Sequence, residues 1–390
     1  MMIRKVFLVL FGLLILLLIE YACRIILPDS KLNMLESVNL ICQEDHDLIW
    51  RQRQNLKTIF RGTAVYTNSL GLRQREIEKS KPLGVYRIIC MGASSTFGWG
   101  VEAGNAYPSI LSQTLNRDIG AKKAEVINAG QIGHTTYQAK IYLQKHLLAL
   151  SPNMVTVAYV LNDVDRCRFF RNEKLKDNQL SKLTHLTVAF RSVLYKSRLY
   201  FMLRRIVGRI YGKNERMSAA LLKKMFDQSK IRVSPEDFRN NLEEIIDICR
   251  ANNIKLMFIK MPVNLPKPVL SPGEEQIIKS GDNLSVYYFK RGLESEENKN
   301  YRQASAFYKK ALDYQIIDCR RDALYYQKIM ADVASKRNIP LINCAEVFEK
   351  DINKNLFNGS NDPIHPNFLG HQLIAQLIYR EIMRNTFTRN

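Results

Sequence analysis

Arg87-Ile88-Ile89-Cys90-Met91-Gly92-Ala93-Ser94 is the stretch from which the fold is read. A short apolar run that stops at Gly is a buried strand entering a tight turn, and the turn presents Ser94. Similar runs follow at Val126-Ile127-Asn128, Met154–Val160, Lys255–Met261 and Pro340–Asn343. Between and after them lie helix-like segments at 108–117, 137–150, 238–252, 323–337 and 367–384. Strands that alternate with helices predict a parallel sheet covered on both faces, here a three-layer α/β/α sandwich with five strands. In such sheets the chemistry lies beyond the carboxyl ends of the strands.

The rest of the chain agrees with a folded protein carrying additions. It has 390 residues, 46% apolar and 24% charged, which excludes disorder and low complexity. Seven Cys with no CxxC pair exclude a disulfide scaffold and a zinc module. The net charge of +21 calls for an anionic partner. An insertion at 166–232 carries 18 Lys and Arg against 4 Asp and Glu, so most of the excess is local. Within it Leu199, Met202, Leu203, Ile206, Val207 and Ile210 fall on one helical face, with Arg204, Arg205 and Arg209 off it. Such a helix either lies on an anionic membrane surface or packs its stripe on the domain. A second insertion at 272–318 has tetratricopeptide-like spacing at Tyr301, Ala304, Tyr308 and Ala311, without a second copy, and predicts a single helical hairpin.

At the N-terminus Arg4 and Lys5 precede an apolar run from Val6 to Ile19, which resumes after Glu20 and continues to Leu27. Such a length spans a bilayer, and no A-x-A cleavage pattern follows. The expectation is an uncleaved single-pass anchor at 1–29 with its cationic end inside and the body on the extracytoplasmic side. A polar extension with short strand-like pieces at 30–84 then leads into the main domain at 85–390. Nucleic acid is not an expected partner of a body so placed.

Four segments carry chemistry. Gly92-Ala93-Ser94-Ser95-Thr96-Phe97-Gly98 puts a hydroxyl on a strand-to-helix turn, as a nucleophile requires. Asn128-Ala129-Gly130-Gln131-Ile132-Gly133 offers a backbone N–H at Gly133 to an anionic oxygen. Leu161-Asn162-Asp163 offers the Asn162 amide. Asp362-Pro363-Ile364-His365 sets a carboxylate three residues before an imidazole. Taken singly, each is an ordinary turn or cap. Together and in this order they resemble the SGNH/GDSL hydrolase superfamily, a flavodoxin-like fold. The resemblance runs over about 68–384 in scattered blocks. It implies Ser94 as nucleophile, with Ser95 as the rival. Gly133 and Asn162 become oxyanion donors with the Ser94 N–H, and Asp362 and His365 become orienter and base. Two positions depart from the family pattern: Ala93 stands where an Asp precedes the nucleophile, and Val160 replaces a Gly. Asn68-Ser69-Leu70-Gly71-Leu72-Arg73 with Gly98-Trp99-Gly100-Val101 is similar to the membrane-anchored bacterial branch, often linked to envelope polysaccharides.

The expected activity is a serine esterase on small acyl esters, with O-acetyl groups of an envelope glycan as candidate substrate. An O-acyltransferase with the same residues and a non-catalytic envelope scaffold are the alternatives. His134, Trp99 and Tyr137 either line the pocket or pack, and His371 reads as structural. No metal-ligand cluster, GxGxxG or P-loop appears, so no cofactor is implied.

Overall fold

The structure is a computed structural model. The structure describes residues 2–28, 31–32, 34–60, 62–119, 124–166, 176–179, 190, 194–211, 231–265, 284–313, 319–351, 354–359, 362 and 364–387. Of the first insertion, residues 167–175, 180–189, 191–193 and 212–230 lie outside them, as does the start of the second at 272–283.

The chain opens with α1 (Met2–Ile26) and α2 (Met34–Ile41). Two hairpins follow, β1 (Cys42–Asp45) with β2 (Ile49–Gln52), and β3 (Lys57–Phe60) with β4 (Thr63–Tyr66). The body begins with β5 (Tyr86–Gly92), α3 (Ser94–Phe97), α4 (Tyr107–Ile119), β6 (Ala124–Gly130), α5 (Thr136–Tyr142), β7 (Met154–Ala158) and α6 (Leu161–Val164). It continues through α7 (Arg198–Tyr211), α8 (Pro235–Ala251), β8 (Lys255–Lys260), α9 (Leu284–Glu297), α10 (Tyr301–Asp313) and α11 (Cys319–Arg337). It closes with β9 (Leu341–Asn343), α12 (Cys344–Lys350) and α13 (Phe368–Ile382).

β5 to β9 form one parallel sheet in the order β6-β5-β7-β8-β9. Alternate side chains of each strand enter opposite layers. Ile89, Met91, Ile127, Val155, Val157 and Phe258 face a core shared with α5, α8 and α11. Ile88, Cys90, Val126, Met154, Met257 and Ile259 face one shared with α4 and α13. The expected three-layer sandwich with five parallel strands is therefore the observed architecture. The helices start where local chemistry satisfies their free N–H groups: Ser234 caps α8 through Asp237 N at 3.2 Å, with Pro235 in the first turn, and Asn367 caps α13 through Gly370 N at 3.1 Å.

Two readings of the sequence need correction. The helix expected over 137–150 ends at Tyr142, and the chain continues as a π-type turn over Leu143–Leu147 and a tighter turn over Leu148–Leu150. Apolar spacing carries on through that junction, so the pattern gives no stop signal. The second strand runs on to Gly130, further than its apolar residues suggest, because polar side chains serve its end. Gln74 Oε1 accepts from Asn128 N at 2.7 Å, and Asn128 Oδ1 accepts from Gly130 N at 3.0 Å.

The extension packs on the body. Trp50 Nε1 donates to Ile132 O at 2.9 Å, and the fully buried Arg73 donates to the carbonyls of Phe97, Gly98 and Val101. That last set joins the two stretches singled out in the sequence, because Arg73 fixes the loop that carries Trp99. α9 and α10 form the expected hairpin, with Tyr308 packed so closely on Gly292 that an added Cβ there would meet its ring at 2.4 Å.

Candidate active site

β5 lies between β6 and β7, with Gly92 paired to both Gly130 and Ala158. The three loops carrying Ser94, Gly133 and Asn162 therefore leave the same sheet edge side by side. Ser94 starts the single-turn α3, and β6 approaches that turn closely. An added Cβ on Gly130 would lie 2.2 Å from Phe97 N, so only Gly fits there.

The Asp362–His365 turn reaches this edge from the far end of the chain. His365 Nε2 lies 2.8 Å from Ser94 Oγ, and His365 Nδ1 lies 2.9 and 3.0 Å from the two Asp362 oxygens. A carboxylate against Nδ1 places the ring proton there and leaves Nε2 to accept from the Ser94 hydroxyl. Asp362 Oδ1 also accepts from Ile364 N at 3.1 Å and His365 N at 2.9 Å, so one carboxylate both folds the turn and orients the ring. Burial pushes the Asp362 carboxyl up, but its hydrogen bonds with His365 and Ile364, together with the His365 charge, outweigh this and hold it below the ordinary range. Trp99 stacks flat on the imidazole, with centroids 4.7 Å apart at 8°. Asn358 ties the two together, donating from Nδ2 to Trp99 O at 2.7 Å and from its N–H to His365 O at 2.9 Å. Ser94 itself is 5% exposed. Ser95 points elsewhere and donates to Ile364 O at 3.1 Å.

Gly133 adopts φ +75°, a conformation that favours Gly. Asn162 Nδ2 donates to His134 O at 3.1 Å, which ties the third loop to the second. His134 is fully buried, its Nε2 2.8 Å from Trp50 O, so it packs rather than lines a pocket. His371 is buried as well and accepts from Tyr107 N at 3.2 Å. Tyr137 is partly buried against the core, with Lys140 over its ring.

What supports the Gly133 loop was not legible in the motifs. Arg232 Nη1 donates to Gly133 O at 2.7 Å, and its guanidinium also pairs with Asp177 at 3.1 Å, both side chains essentially inaccessible. Thr135 Oγ1 donates to the same carboxylate at 2.8 Å, and the guanidinium lies over the Trp50 ring at 5.0 Å. Arg232 was one of 18 cations in the insertion; the available hint was Asp177, one of only 4 acids there. Removing the cation strands a buried carboxylate, so Arg232→Leu is expected to cost about 3–5 kcal/mol of stability, read from urea unfolding. A loss under about 1 kcal/mol, the scale of an exposed pair, would contradict this packing.

Three buried groups contribute to the acid response. Burial depresses His134 to about 4, and burial with the Arg73 and His365 charges depresses His371 to about 3. Burial raises Asp163 to about 7 despite hydrogen bonds from Thr136 N and Oγ1. Below 6.5 the unfolded chain protonates both imidazoles while the fold keeps them neutral, so their stabilisation is lost as pH falls. Asp163 works oppositely: its stabilisation is full below 3.8 and is lost as pH rises through about 7. Two groups against one leave about one proton, so these groups should remove about 1.4 kcal/mol per pH unit on acidification from 6.5 towards 4. Asp163→Asn should steepen that slope in urea titrations; an unchanged slope would show that Asp163 is ionised in the fold.

An α/β/α sandwich with a hydroxyl–imidazole–carboxylate chain at the carboxyl edge of its sheet has the arrangement of a hydrolase acting on ester bonds. Residues 90–373 match the model of the GDSL-like lipase/acylhydrolase family, and the chain belongs to that family. It is thus an SGNH/GDSL-type enzyme that acts on ester bonds. Solved structures similar to it include an alpha/beta hydrolase from the metagenome of Lake Arreo, Spain (16% identity, 76% of this chain and 94% of that one, TM-score 0.43). Others are the acetylxylan esterase Axe2 from Geobacillus stearothermophilus (13%, 77% and 95%, 0.42) and a lipase/acylhydrolase from Enterococcus faecalis (16%, 76% and 95%, 0.40). No curated protein matches the sequence.

Proposed function

We propose that this enzyme is a serine esterase for small acyl groups, with O-acetyl groups of an envelope glycan as its substrate. The observation that carries the reading is the continuous hydrogen-bond chain from Ser94 Oγ through His365 to Asp362. His365 takes the Ser94 proton as the oxygen attacks the ester carbonyl, and Asp362 steadies the imidazolium. The oxyanion is held by the N–H groups of Ser94 and Gly133 and by the Asn162 amide. Collapse expels the alcohol, which takes the proton from His365, and leaves an acyl-Ser94 ester. Water, activated by the same imidazole, then attacks that ester and frees the acid and the serine. The preference for small acyl groups is supported by the low exposure of Ser94 and the Trp99 ring stacked on His365.

α1 is long and apolar enough to cross a membrane, as an anchor or a signal sequence would be. We read residues 1–29 as a retained single-pass anchor, 30–84 as an extension of the body, and 85–390 as the hydrolase domain with its two insertions, placed outside the cytoplasm.

The test is acetate release from an O-acetylated glycan by the full chain in detergent, with and without a second, unacetylated glycan. Release without acceptor supports hydrolysis; acetyl appearing on the acceptor with little free acetate would replace it by transfer. Asn162→Ala is expected to slow turnover by ~10²–10³-fold, or ~3–4 kcal/mol of barrier. Unchanged turnover would remove Asn162 from the oxyanion site.

A further inference from the structure

We propose that α7 lies in the surface of the bilayer that α1 enters, with its apolar face among the outer acyl carbons and its basic residues on anionic phospholipid headgroups. The proposal rests on the reading of α1 as a retained anchor. It starts from the junction between the two helices. Glu20, the one acid within the apolar stretch of α1, accepts from Ser197 Oγ at 2.8 Å and from the backbone N–H groups of Arg198 and Leu199, both at 3.0 Å. These N–H groups open α7, so a carboxylate borrowed from the anchor satisfies the start of a helix 178 residues away in sequence. Arg24 pairs with Glu20 at 3.0 Å and donates to Lys196 O at 3.1 Å, and Arg198 Nε donates back to Leu27 O at 3.1 Å. Further along, Arg205 pairs with Glu36 and donates to Lys31 O at 3.1 Å. α7 is thereby fastened along the exit of α1.

That attachment decides what covers the free face of α7. Phe201 is fully buried, yet Leu203, Ile206 and Val207 are 51%, 47% and 52% exposed, so this part of the stripe is not packed on the body. The exposed apolar surface continues onto α1, whose Tyr21, Ile25 and Ile26 are also open. Glu20 lies six residues before Ile26, about 9 Å along a helix. This is the depth, ~5–10 Å, to which interfacial helices seat their apolar faces. Around the same exit Arg24, Lys31, Lys196 and Arg204 are exposed, a cationic collar suited to anionic headgroups. A carboxylate at that depth would be costly alone. Here its oxygens are taken up by α7 and Arg24.

The experiment uses the full chain with Val207→Trp, reconstituted in phosphatidylcholine–phosphatidylglycerol vesicles carrying nitroxide-labelled lipids. Wild-type protein supplies the background from Trp50 and Trp99. The added emission is expected to shift to the blue and to be lost to a shallow nitroxide more than to a deep one. Glu20→Ala should weaken that quenching while the protein still co-floats with vesicles after an alkaline wash. Unquenched Val207→Trp emission in protein that does co-float overturns the proposal. So does quenching that disappears when protein is diluted in excess lipid, which would make a second copy of the chain the occupant. Equal quenching in phosphatidylcholine alone overturns the anionic recognition. Protein that fails to co-float overturns the anchor reading instead, a distinguishable failure.

Discussion

Ser94→Ala is expected to lower kcat for p-nitrophenyl acetate by at least about 10⁴-fold, leaving the folded protein intact. Its Oγ is the atom 2.8 Å from His365 Nε2, and among the described residues no other hydroxyl bonds to that nitrogen. The neighbouring Ser95 donates to Ile364 O, with the turn between it and the imidazole, so it cannot take over the attack. Ser95→Ala serves as the control: it removes a hydrogen bond that steadies the His365 turn, and activity should fall far less than in Ser94→Ala. The variants separate the two candidates even if both are slightly destabilised, provided unfolding midpoints are measured beside the rates. If Ser94→Ala retains acyl release that Ser95→Ala loses, the nucleophile has been misassigned.

Asp362→Asn is expected to cost about 10⁴ in kcat, with KM little changed. The asparagine keeps the shape of the turn, since its oxygen can still accept from Ile364 N and His365 N. What it loses is the second acceptor. Both carboxylate oxygens now face His365 Nδ1, and an amide turned to save the backbone contacts presents its NH₂ there. Oδ1 can still accept from Nδ1, but the NH₂ in place of Oδ2 is a donor at the same nitrogen and favours the tautomer with its proton on Nε2, which cannot accept from Ser94. Asp362→Ala would also release the turn, making its loss harder to assign. Near wild-type kcat in Asp362→Asn would mean that some other group sets the tautomer.

Much of this was legible in the sequence, for a physical reason. The strands are buried on both faces and so must be apolar, which is why Arg87–Met91 and Met154–Ala158 stand out. Ser94, Asp362 and His365 stand out because each is a reactive side chain in a local turn motif. The support was not legible. Arg232, Trp50 and Gln131 act on main-chain carbonyls and amides of distant segments, and a carbonyl carries no side-chain signature. Nor could the exposed stripe of α7 be told from a packed one, since the same spacing serves both. The exposure of Leu203, Ile206 and Val207 tells them apart, and α7 is held beside α1 by Glu20, from far away in the chain.

The bracing of the Gly133 loop bears on the order in which activity emerges. Its contact to Arg232 joins residues 99 positions apart, whereas β5 pairs with β6 across 38 positions (Tyr86 with Ala124) and with β7 across 66 (Ile88 with Met154). Long-range closures of this kind come late in folding. During synthesis the sheet centre can assemble while residue 232 is still within the ribosome, and the chain is then compact but lacks the Arg232 brace on its Gly133 loop. Refolding followed by tryptophan fluorescence and by ester cleavage together should therefore show catalysis lagging behind compaction.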